Sequence, residues 1–294
     1  MKSICFVHTG KAQLPDLGAY KEYFATNYEV FNSSSLCNLE RYDILWFFMG
    51  LHRYTPLKTQ FVVHEYSSLS LPPFARIKDR IKVLCESRPD LRVFQNQHQL
   101  ELLQFNDDVP SVFRDMGVAE QFFDRPESEK TYDVVYVGAM DKTRRLEVAI
   151  DKLLQIKPDL KLMLAGRPEP YLVERYKNCA GIHFIGCVLY EAVPALLTQA
   201  KFGLNYVPDT YPYQIQSSTK LLEYLAVGLP VIGNVNTWTK KFLQKQNVKY
   251  FDLSQLFEWP EQGIALNSLT NELSKEFLWQ NVIRNVGIEQ YLPV

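Results

Sequence analysis

The sequence lacks several features that would assign a protein to one class directly. Its 294 residues include five cysteines and no C-x-x-C pair, which argues against a disulfide framework or a cysteine metal site. No apolar run approaches the roughly 20 residues that span a bilayer. The formal net charge of −1 lacks the basic excess that is typical of nucleic-acid-binding proteins. These absences predict a reduced protein with no metal, no nucleic-acid partner and no membrane span.

What the sequence does have is an ordinary globular composition. Hydrophobic residues make up 47% of the chain and charged residues 22%, which is enough apolar material for a full core. A chain of this length fits two medium-sized domains. The apolar part of Met1–His8 is too short for a signal peptide, so we expect a cytoplasmic location.

Short apolar runs alternate with amphipathic stretches, a pattern typical of parallel sheets joined by crossover helices. The runs that predict strands are, in chain order, Ser3–His8, Tyr28–Phe31, Asp43–Phe48, Gln60–His64, Arg92–Gln95, Tyr132–Gly138, Lys161–Ala165, Ile182–Ile185 and Phe202–Tyr206. A polar, proline-bearing stretch at Asp124–Lys130 interrupts this pattern and is the predicted linker. The predicted fold class is α/β, with an N-terminal domain at 1–127 and a second domain at 128–270. We expect residues 271–294 to form a helix that packs back toward the first domain.

One predicted helix of the first domain has a sequence that fits either packing on its domain or contact with a membrane surface. Helical spacing over Phe74–Glu86 predicts a single apolar face, formed by Phe74, Ile77, Ile81 and Leu84. The interpretation we favour is an ordinary helix that packs on its domain and keeps a solvated face. The alternative is peripheral contact with anionic lipid on the inner face of the membrane, through the basic and partly apolar segment Phe74–Lys82.

Glycines follow three of the predicted strands, at Gly138, Gly166 and Gly186. The ligand crevice of an open α/β sheet lies at the carboxyl ends of its strands, and a glycine there lets the backbone approach a ligand or simply makes a tight turn. None of them belongs to a G-x-G-x-x-G or a P-loop motif. Arg144 follows the first of these strands and could bind an anion there, or it could be a solvated residue of a basic turn.

The most informative stretch of the chain is Ser217–Ile232. Hydroxyl residues open a predicted helix there, and they could cap its free N–H groups or leave those groups to hold a phosphate. Lys220 lies in the first turn and Glu223 follows three residues later. These two side chains could bind the phosphate and a sugar hydroxyl of one nucleotide, or both could be solvated residues of an exposed helix.

At this point the second half of the chain resembles a known family. The matching blocks occur in the order Tyr136–Gly138, Arg144, Ala165–Gly166, Phe184–Gly186, Tyr190–Glu191 and Ser218–Ile232. Their sequence and order are similar to the nucleotide-binding half of the group 1 glycosyltransferases, many of which build bacterial polysaccharide and lipopolysaccharide. The resemblance implies the GT-B fold, in which two Rossmann-like domains face each other across a cleft. It also implies a nucleotide-sugar donor, UDP-linked in the commonest case, a saccharide or lipid-linked acceptor, and no metal cofactor.

The resemblance also implies roles for individual residues. Glu223 matches the family glutamate that holds the ribose, and Arg144 matches a cation that contacts phosphate. The backbone near Val188 borders the base. The residues that match the diphosphate contacts are Gly138, Ser218, Thr219 and Lys220.

The chain departs from the family pattern at two positions. Many members carry a second acid eight residues before the one that matches Glu223, and here that position is Ile215. The arginine that usually follows the first strand-end glycine is Ala139. The donor-sugar contacts must therefore come from other residues, and the candidates are Asp209, Thr210 and Gln214 of the preceding loop.

The first half contributes two candidate catalytic residues, His64 and Glu65, at the end of an apolar strand. The resemblance implies a histidine that faces the transferred sugar at such a strand end. His64 could donate to a sugar hydroxyl or a phosphate oxygen, and Glu65 could serve as an acid–base group. A structural histidine is the competing interpretation.

Two other functions fit the same residues. A nucleotide-sugar 2-epimerase shares the two-domain fold and would need its own acid–base carboxylates. A non-catalytic sugar- or nucleotide-binding module would explain the departures at Ile215 and Ala139. Turnover of a donor alone, or of a donor with an acceptor, separates these functions.

Overall fold

The computed structural model describes residues 1–10, 14–48, 52, 54–125, 128–260 and 269–293. The chain forms two compact units. Unit 1 comprises residues 1–117, 215–217 and 278–294, and unit 2 comprises residues 118–214 and 218–277. The predicted domain boundary lies between residues 127 and 128, directly after residues 126 and 127, which are outside the described residues.

The described residues contain twelve strands and nine α-helices. The strands are β1 Ser3–Val7, β2 Glu29–Ser33, β3 Ile44–Phe48, β4 Phe61–Tyr66, β5 Leu91–Phe94, β6 Ser111–Phe113, β7 Tyr132–Val137, β8 Leu162–Ala165, β9 Ile182–Gly186, β10 Ala200–Asn205, β11 Val231–Gly233 and β12 Tyr250–Asp252. The helices are α1 Pro15–Phe24, α2 Ala75–Cys85, α3 Gln97–Leu103, α4 Leu146–Ile156, α5 Pro170–Tyr176, α6 Val193–Leu197, α7 Thr219–Ala226, α8 Thr237–Lys245 and α9 Trp279–Val286. Over these described ranges, none of the helices combines the length and the apolarity that a membrane crossing requires.

Unit 1 is built on a parallel sheet with the strand order β2-β1-β3-β4-β5-β6. Strands β1 and β3 are buried along their whole length, which is why they appear in the sequence as continuous apolar runs. Helix α9 belongs to this unit and packs on α1, and Ile283 of α9 lies in the same core as Phe6 and Trp46.

Unit 2 repeats the architecture with the strand order β12-β11-β10-β7-β8-β9, again all parallel. The chain runs outward in one direction from β7 and in the other direction from β10. These two neighbouring strands therefore form the switch point of the sheet, where α/β proteins place their ligand crevice. The α/β class with two parallel sheets agrees with the fold class predicted from the sequence.

The last helix is shorter than the sequence pattern indicates. Helical spacing was expected from residue 271 onward, but α9 begins only at Trp279. The Asn271 backbone N–H donates to the carbonyl of Gly228, and its side chain binds the Lys249 amide and the carbonyl of Leu229. These bonds engage Asn271 with residues that precede β11 and β12, and in the described segment from it to α9 the only helical turn is the 3₁₀ turn at Lys275–Phe277.

Helix α2 forms as predicted, and the structure shows which of its faces packs on the unit. The four apolar residues of its predicted face are all exposed. Ala75 and Asp79 are the residues that the helix buries. Asp79 accepts a hydrogen bond from the Ser70 amide at 2.9 Å, which holds this opposite face against the unit. The helix therefore packs on its unit and keeps a solvated face, but the solvated face is the apolar one.

Candidate functional site

Glycine residues allow the carboxyl ends of β7 and β8, two neighbouring strands of unit 2, to pack closely. Gly138 follows β7 with φ of +143°, and Gly166 follows β8 with φ of +133°, values that favour glycine. A Cβ on Gly166 would lie 2.2 Å from the Gly138 carbonyl oxygen, so a side chain cannot be accommodated there. A Cβ on Gly138 would lie 3.4 Å from Cε of Lys220. The strand ends thus pack tightly and bring the backbone of Gly138 next to the Lys220 side chain.

Contacts of Tyr224 and Ser218 hold helix α7 in place beside this strand end. The Tyr224 hydroxyl accepts a hydrogen bond from the Val137 amide at 3.1 Å, and a Cβ on Gly203 would lie 2.4 Å from the Tyr224 ring. Ser218 is the N-cap of α7, since its hydroxyl accepts from the Leu221 amide at 3.4 Å. The helix is therefore fixed at both its first turn and its middle.

The Ser218 hydroxyl has no donor capacity left for a ligand. It donates to Oδ1 of Asn205, at the end of β10, at a distance of 2.6 Å. The structure thus uses Ser218 to join the helix to the sheet, where the resemblance implied a phosphate contact. The amides of Thr219 and Lys220, the first two of the helix, have no intrahelical acceptor and are the groups that can meet an anion.

Lys220 is a cation held in an unfavourable environment. Its Nζ lies 5.1 Å from the centroid of the Tyr136 ring. Burial lowers the pKa of Lys220 to about 7, and the positive charge of Arg144 adds to this effect while Glu223 opposes it. An anion bound beside Lys220 would raise that pKa again and restore the full charge.

Arg144 lies in a 3₁₀ turn at Lys142–Arg144, between β7 and α4. Its guanidinium carbon is 4.5 Å from the centroid of the Tyr213 ring, which is buried. The Tyr213 hydroxyl also lies 2.8 Å from Oγ1 of Thr143 in the same turn. Tyr213 therefore fixes the position of the turn and of its arginine.

Glu223 lies one turn after Lys220 on α7 and is 6% exposed. Burial raises its pKa to about 7, an effect that the Tyr190 hydrogen bond and Lys220 partly offset. The Tyr190 hydroxyl donates to Oε1 of Glu223 at 2.9 Å, and its ring packs on Phe122 at 5.3 Å between centroids. A buried carboxylate with one oxygen engaged by Tyr190 keeps acceptor capacity for the hydroxyl of a ligand.

The described residues of unit 2 therefore bring together Gly138, Arg144, Lys220 and Glu223 at the switch point of the sheet. The two cations and the amides at the start of α7 can bind an anion, and the carboxylate can accept a hydrogen bond from a hydroxyl. Val188 is half-buried and follows β9, which is separated from β7 by β8. Within the part of the chain that the structure describes, no group of three or more histidine, cysteine or acidic residues could hold a metal ion.

The expected donor-sugar residues lie in the loop between β10 and α7. Asp209 is exposed. Gln214 is half-buried, and its backbone N–H donates to the Thr210 carbonyl at 3.1 Å. Ile215 is 5% exposed and is grouped with unit 1, where its carbonyl accepts from Asn96 at 3.1 Å. The position at which relatives have an acid is therefore a buried apolar one, and the sugar contacts of Asp209 and Gln214 stay predictions.

His64 and Glu65 lie on β4 of unit 1, and neither side chain is accessible. His64 is 2% exposed, with its ring edge-on to Phe47 at 5.8 Å between centroids. Burial, together with the charge of Arg92, lowers the pKa of His64 to about 3, so the ring is neutral. A contact between His64 and a sugar stays a prediction.

Glu65 has a structural role, contrary to the expectation that it acts as an acid–base group. The side chain is 1% exposed. One carboxylate oxygen accepts from the Trp46 indole at 2.7 Å, and the other is bound by Arg114. Arg114 also binds Asp16 at 2.9 Å. A buried carboxylate with both oxygens occupied has no access to a substrate proton.

Sequence reasoning missed three residues that organise the site in unit 2. Asn205 anchors the helix cap, Tyr213 positions Arg144, and Tyr190 binds Glu223. Tyr190 lies in one of the blocks that carry the family resemblance, so that resemblance could have identified it. The other two act through partners distant in sequence, and no local pattern signals them.

Comparison with known proteins agrees with this architecture. Residues 131–245 match the sequence model of the family described as glycosyl transferases, group 1. No curated protein sequence matches the chain. Among solved structures, HepE from Anabaena in complex with UDP and glucose is 11% identical, with a TM-score of 0.69 over 99% of each chain. Sucrose-phosphate synthase from Thermosynechococcus elongatus is 13% identical, with a TM-score of 0.68 over 99% of this chain and 98% of that one.

Identities this low show a shared fold alone, and the similarity to the family rests on the sequence match over residues 131–245. That match contains the whole cluster formed by Gly138, Arg144, Lys220 and Glu223. It also confirms the resemblance read from the ordered blocks of the sequence. Residues 131–245 of this chain are therefore similar in sequence to the group 1 glycosyltransferases.

Proposed function

We propose that the protein is a metal-independent glycosyltransferase that moves a hexosyl-type sugar from a UDP-sugar to a saccharide or lipid-linked saccharide acceptor. The observation that carries this proposal is the cluster at the switch point of unit 2. It combines two cations, a helix N-terminus and a buried carboxylate. These groups lie in the first turns of α7 and in the segment that follows β7. A nucleoside diphosphate presents the matching chemistry, an anion joined to a sugar that carries two hydroxyls.

Within the proposed complex each group has a defined part. Arg144 and Lys220 bind the diphosphate, together with the amides of Thr219 and Lys220, while Gly138 lets the strand end approach it. Glu223 accepts a hydrogen bond from a ribose hydroxyl. The same cations stabilise the negative charge that develops on the diphosphate as the bond to the sugar breaks, which is the task a metal performs in other transferases.

UDP is the favoured nucleotide because HepE, which shares the fold, is in complex with UDP and glucose. The proposed cellular setting is the synthesis of a bacterial polysaccharide or lipopolysaccharide in the cytoplasm. The family match supports the transferase activity. The nucleotide, the transferred sugar and the acceptor are the parts that the following experiment addresses.

The test is calorimetric titration of UDP, GDP and ADP into the wild type and into Glu223→Ala, with Glu191→Ala as the matched control. Glu191 is an exposed acid in the 3₁₀ turn at Tyr190–Ala192 and has no part in the proposed site. We expect UDP to bind most tightly, with binding lost in Glu223→Ala and unchanged in Glu191→Ala. Near-wild-type UDP affinity in Glu223→Ala would refute the site. Loss of binding on addition of a chelator would refute its metal independence.

An epimerase is the second candidate, because a structure named as a UDP-N-acetylglucosamine 2-epimerase from Listeria monocytogenes shares the fold. It is 11% identical with a TM-score of 0.50, over 96% of this chain and 91% of that one. Incubation with UDP-N-acetylglucosamine and no acceptor distinguishes the two activities. A transferase leaves the donor sugar's configuration at C2 intact, and an epimerase converts it. Binding of UDP without turnover of any donor would indicate a binding module.

A further inference from the structure

Unit 1 carries an exposed apolar surface on α2 and the loop before it. We call this surface the α2 ridge, and its members are Leu71, Phe74, Ile77, Ile81 and Leu84. Each of them is between 47% and 73% exposed. Single exposed apolar residues are common on protein surfaces, but a contiguous row of this kind marks an interaction site.

The helix geometry shows that this exposure is systematic. Residues 74, 77, 81 and 84 follow the spacing of one helix face, so they form a single row along α2. The opposite face holds Ala75 and Asp79, which are both buried. Asp79 binds the Ser70 amide and keeps that face on the unit. The fold therefore presents the apolar face of an amphipathic helix to the outside.

The charges around the row have one sign. Arg76, Lys78 and Arg80 are exposed on α2 and flank the apolar row on both sides. The one acid within Ala75–Cys85 is Asp79, which is buried on the far side of the helix. An apolar row with exposed cations on both flanks, Lys78 on one and Arg76 and Arg80 on the other, and with no exposed acid on the helix complements a surface that is apolar inside and negatively charged at its boundary.

We infer that the α2 ridge docks onto the surface of an anionic lipid bilayer. In this interaction the apolar side chains enter the boundary between headgroups and acyl chains, and the flanking cations bind the anionic headgroups. A lipid surface fits better than an apolar protein pocket because exposed cations flank the row on both sides and the helix has no exposed acid. This inference goes beyond the proposed function and depends only on unit 1.

The test is flotation of the wild-type protein with vesicles of phosphatidylcholine alone and of phosphatidylcholine with 30 mol% phosphatidylglycerol. Two variants address the two parts of the surface, Ile77→Ser/Ile81→Ser for the row and Lys78→Gln/Arg80→Gln for the charges. All four side chains are exposed, so folding is expected to be unaffected. We expect binding to the anionic vesicles only. Removal of two cations should weaken it about 30-fold, and removal of the two isoleucines about tenfold or more.

The matched charge control is Lys240→Gln/Lys241→Gln, which removes two exposed lysines from α8 of unit 2. This variant should float as the wild type does. No flotation of the wild type with anionic vesicles, equal flotation with neutral ones, or wild-type flotation of either α2 variant would overturn the inference. Self-association that Ile77→Ser/Ile81→Ser abolishes, without any vesicle binding, would assign the surface to a second copy of the chain and overturn it as well.

Discussion

Replacement of Lys220 by methionine should stabilise the protein and at the same time weaken its binding of UDP. Methionine keeps the length of the side chain and removes the charge. The cost of the charge follows from the lysine pKa, which burial and the neighbouring Arg144 lower from 10.5 to about 7. This displacement corresponds to a ceiling of about 5 kcal/mol. Because Lys220 keeps some exposure to solvent, we expect a gain of about 2 kcal/mol.

The pH dependence of this gain provides a stringent check. Below pH 7 the cost is that of holding a proton on a buried amine, and between pH 7 and 10.5 it is the smaller cost of removing a proton that the unfolded chain keeps. It is fully present below pH 7 and disappears as the pH rises toward 10.5, the ordinary pKa of lysine. In thermal unfolding, Lys220→Met should therefore exceed the wild type by about 4–8 °C at pH 6.5, with the difference shrinking toward pH 10.

Binding of UDP should change in the opposite direction. Loss of one charged hydrogen bond to the diphosphate costs about 1.5–3 kcal/mol, so the affinity should fall roughly 10- to 150-fold by calorimetry. Lys142→Met is the matched control, because Lys142 is an exposed lysine in the adjacent 3₁₀ turn. It should leave both quantities nearly unchanged. A less stable Lys220→Met, a pH-independent difference, or retained UDP affinity would refute the reasoning.

Two further predictions address the other buried contacts. Glu65→Gln leaves Arg114 with Asp16 as its remaining charged partner. The free energy of unfolding in urea should therefore fall by about 3 kcal/mol, while turnover per folded molecule stays the same. Lost turnover at unchanged stability would instead identify Glu65 as a catalytic acid. Tyr213→Leu removes the ring against Arg144, and the affinity for UDP should fall about 2- to 5-fold in calorimetry. The Tm should fall as well, because the ring is buried and its hydroxyl pairs with Thr143. An unchanged affinity would show that the arginine needs no such support.

The sequence predicted the strands well where they are buried on both faces. Strands such as β1, β3 and β8 appear as continuous apolar runs because no residue in them meets water. Strands β6 and β12 have three residues each and carry too short a pattern to be recognised. Helix α2 shows a different limit, since periodicity identifies an apolar face but cannot decide whether that face lies inside or outside.

The candidate site was predictable only as far as its local spacing reached. Lys220 and Glu223 share one turn of helix, so their proximity follows from their positions alone. The hydrogen bond between Glu223 and Tyr190 joins residues 33 positions apart, and the ion pair between Glu65 and Arg114 joins residues 49 apart. Such contacts depend on the completed fold, and the second one reversed the expected role of a carboxylate.

The division of the chain between the two units has a consequence for synthesis. Unit 1 contains the first 117 residues, and its core also includes Ile283, Ile288 and Leu292. A ribosome that has made residues 1–117 has therefore not yet made three side chains that this core requires. Unit 2 is complete once Phe277 has emerged, so it can close its core earlier. The part of the protein that is made first is thus finished last, and a chain cut after Phe277 would retain an intact unit 2 beside an incomplete unit 1.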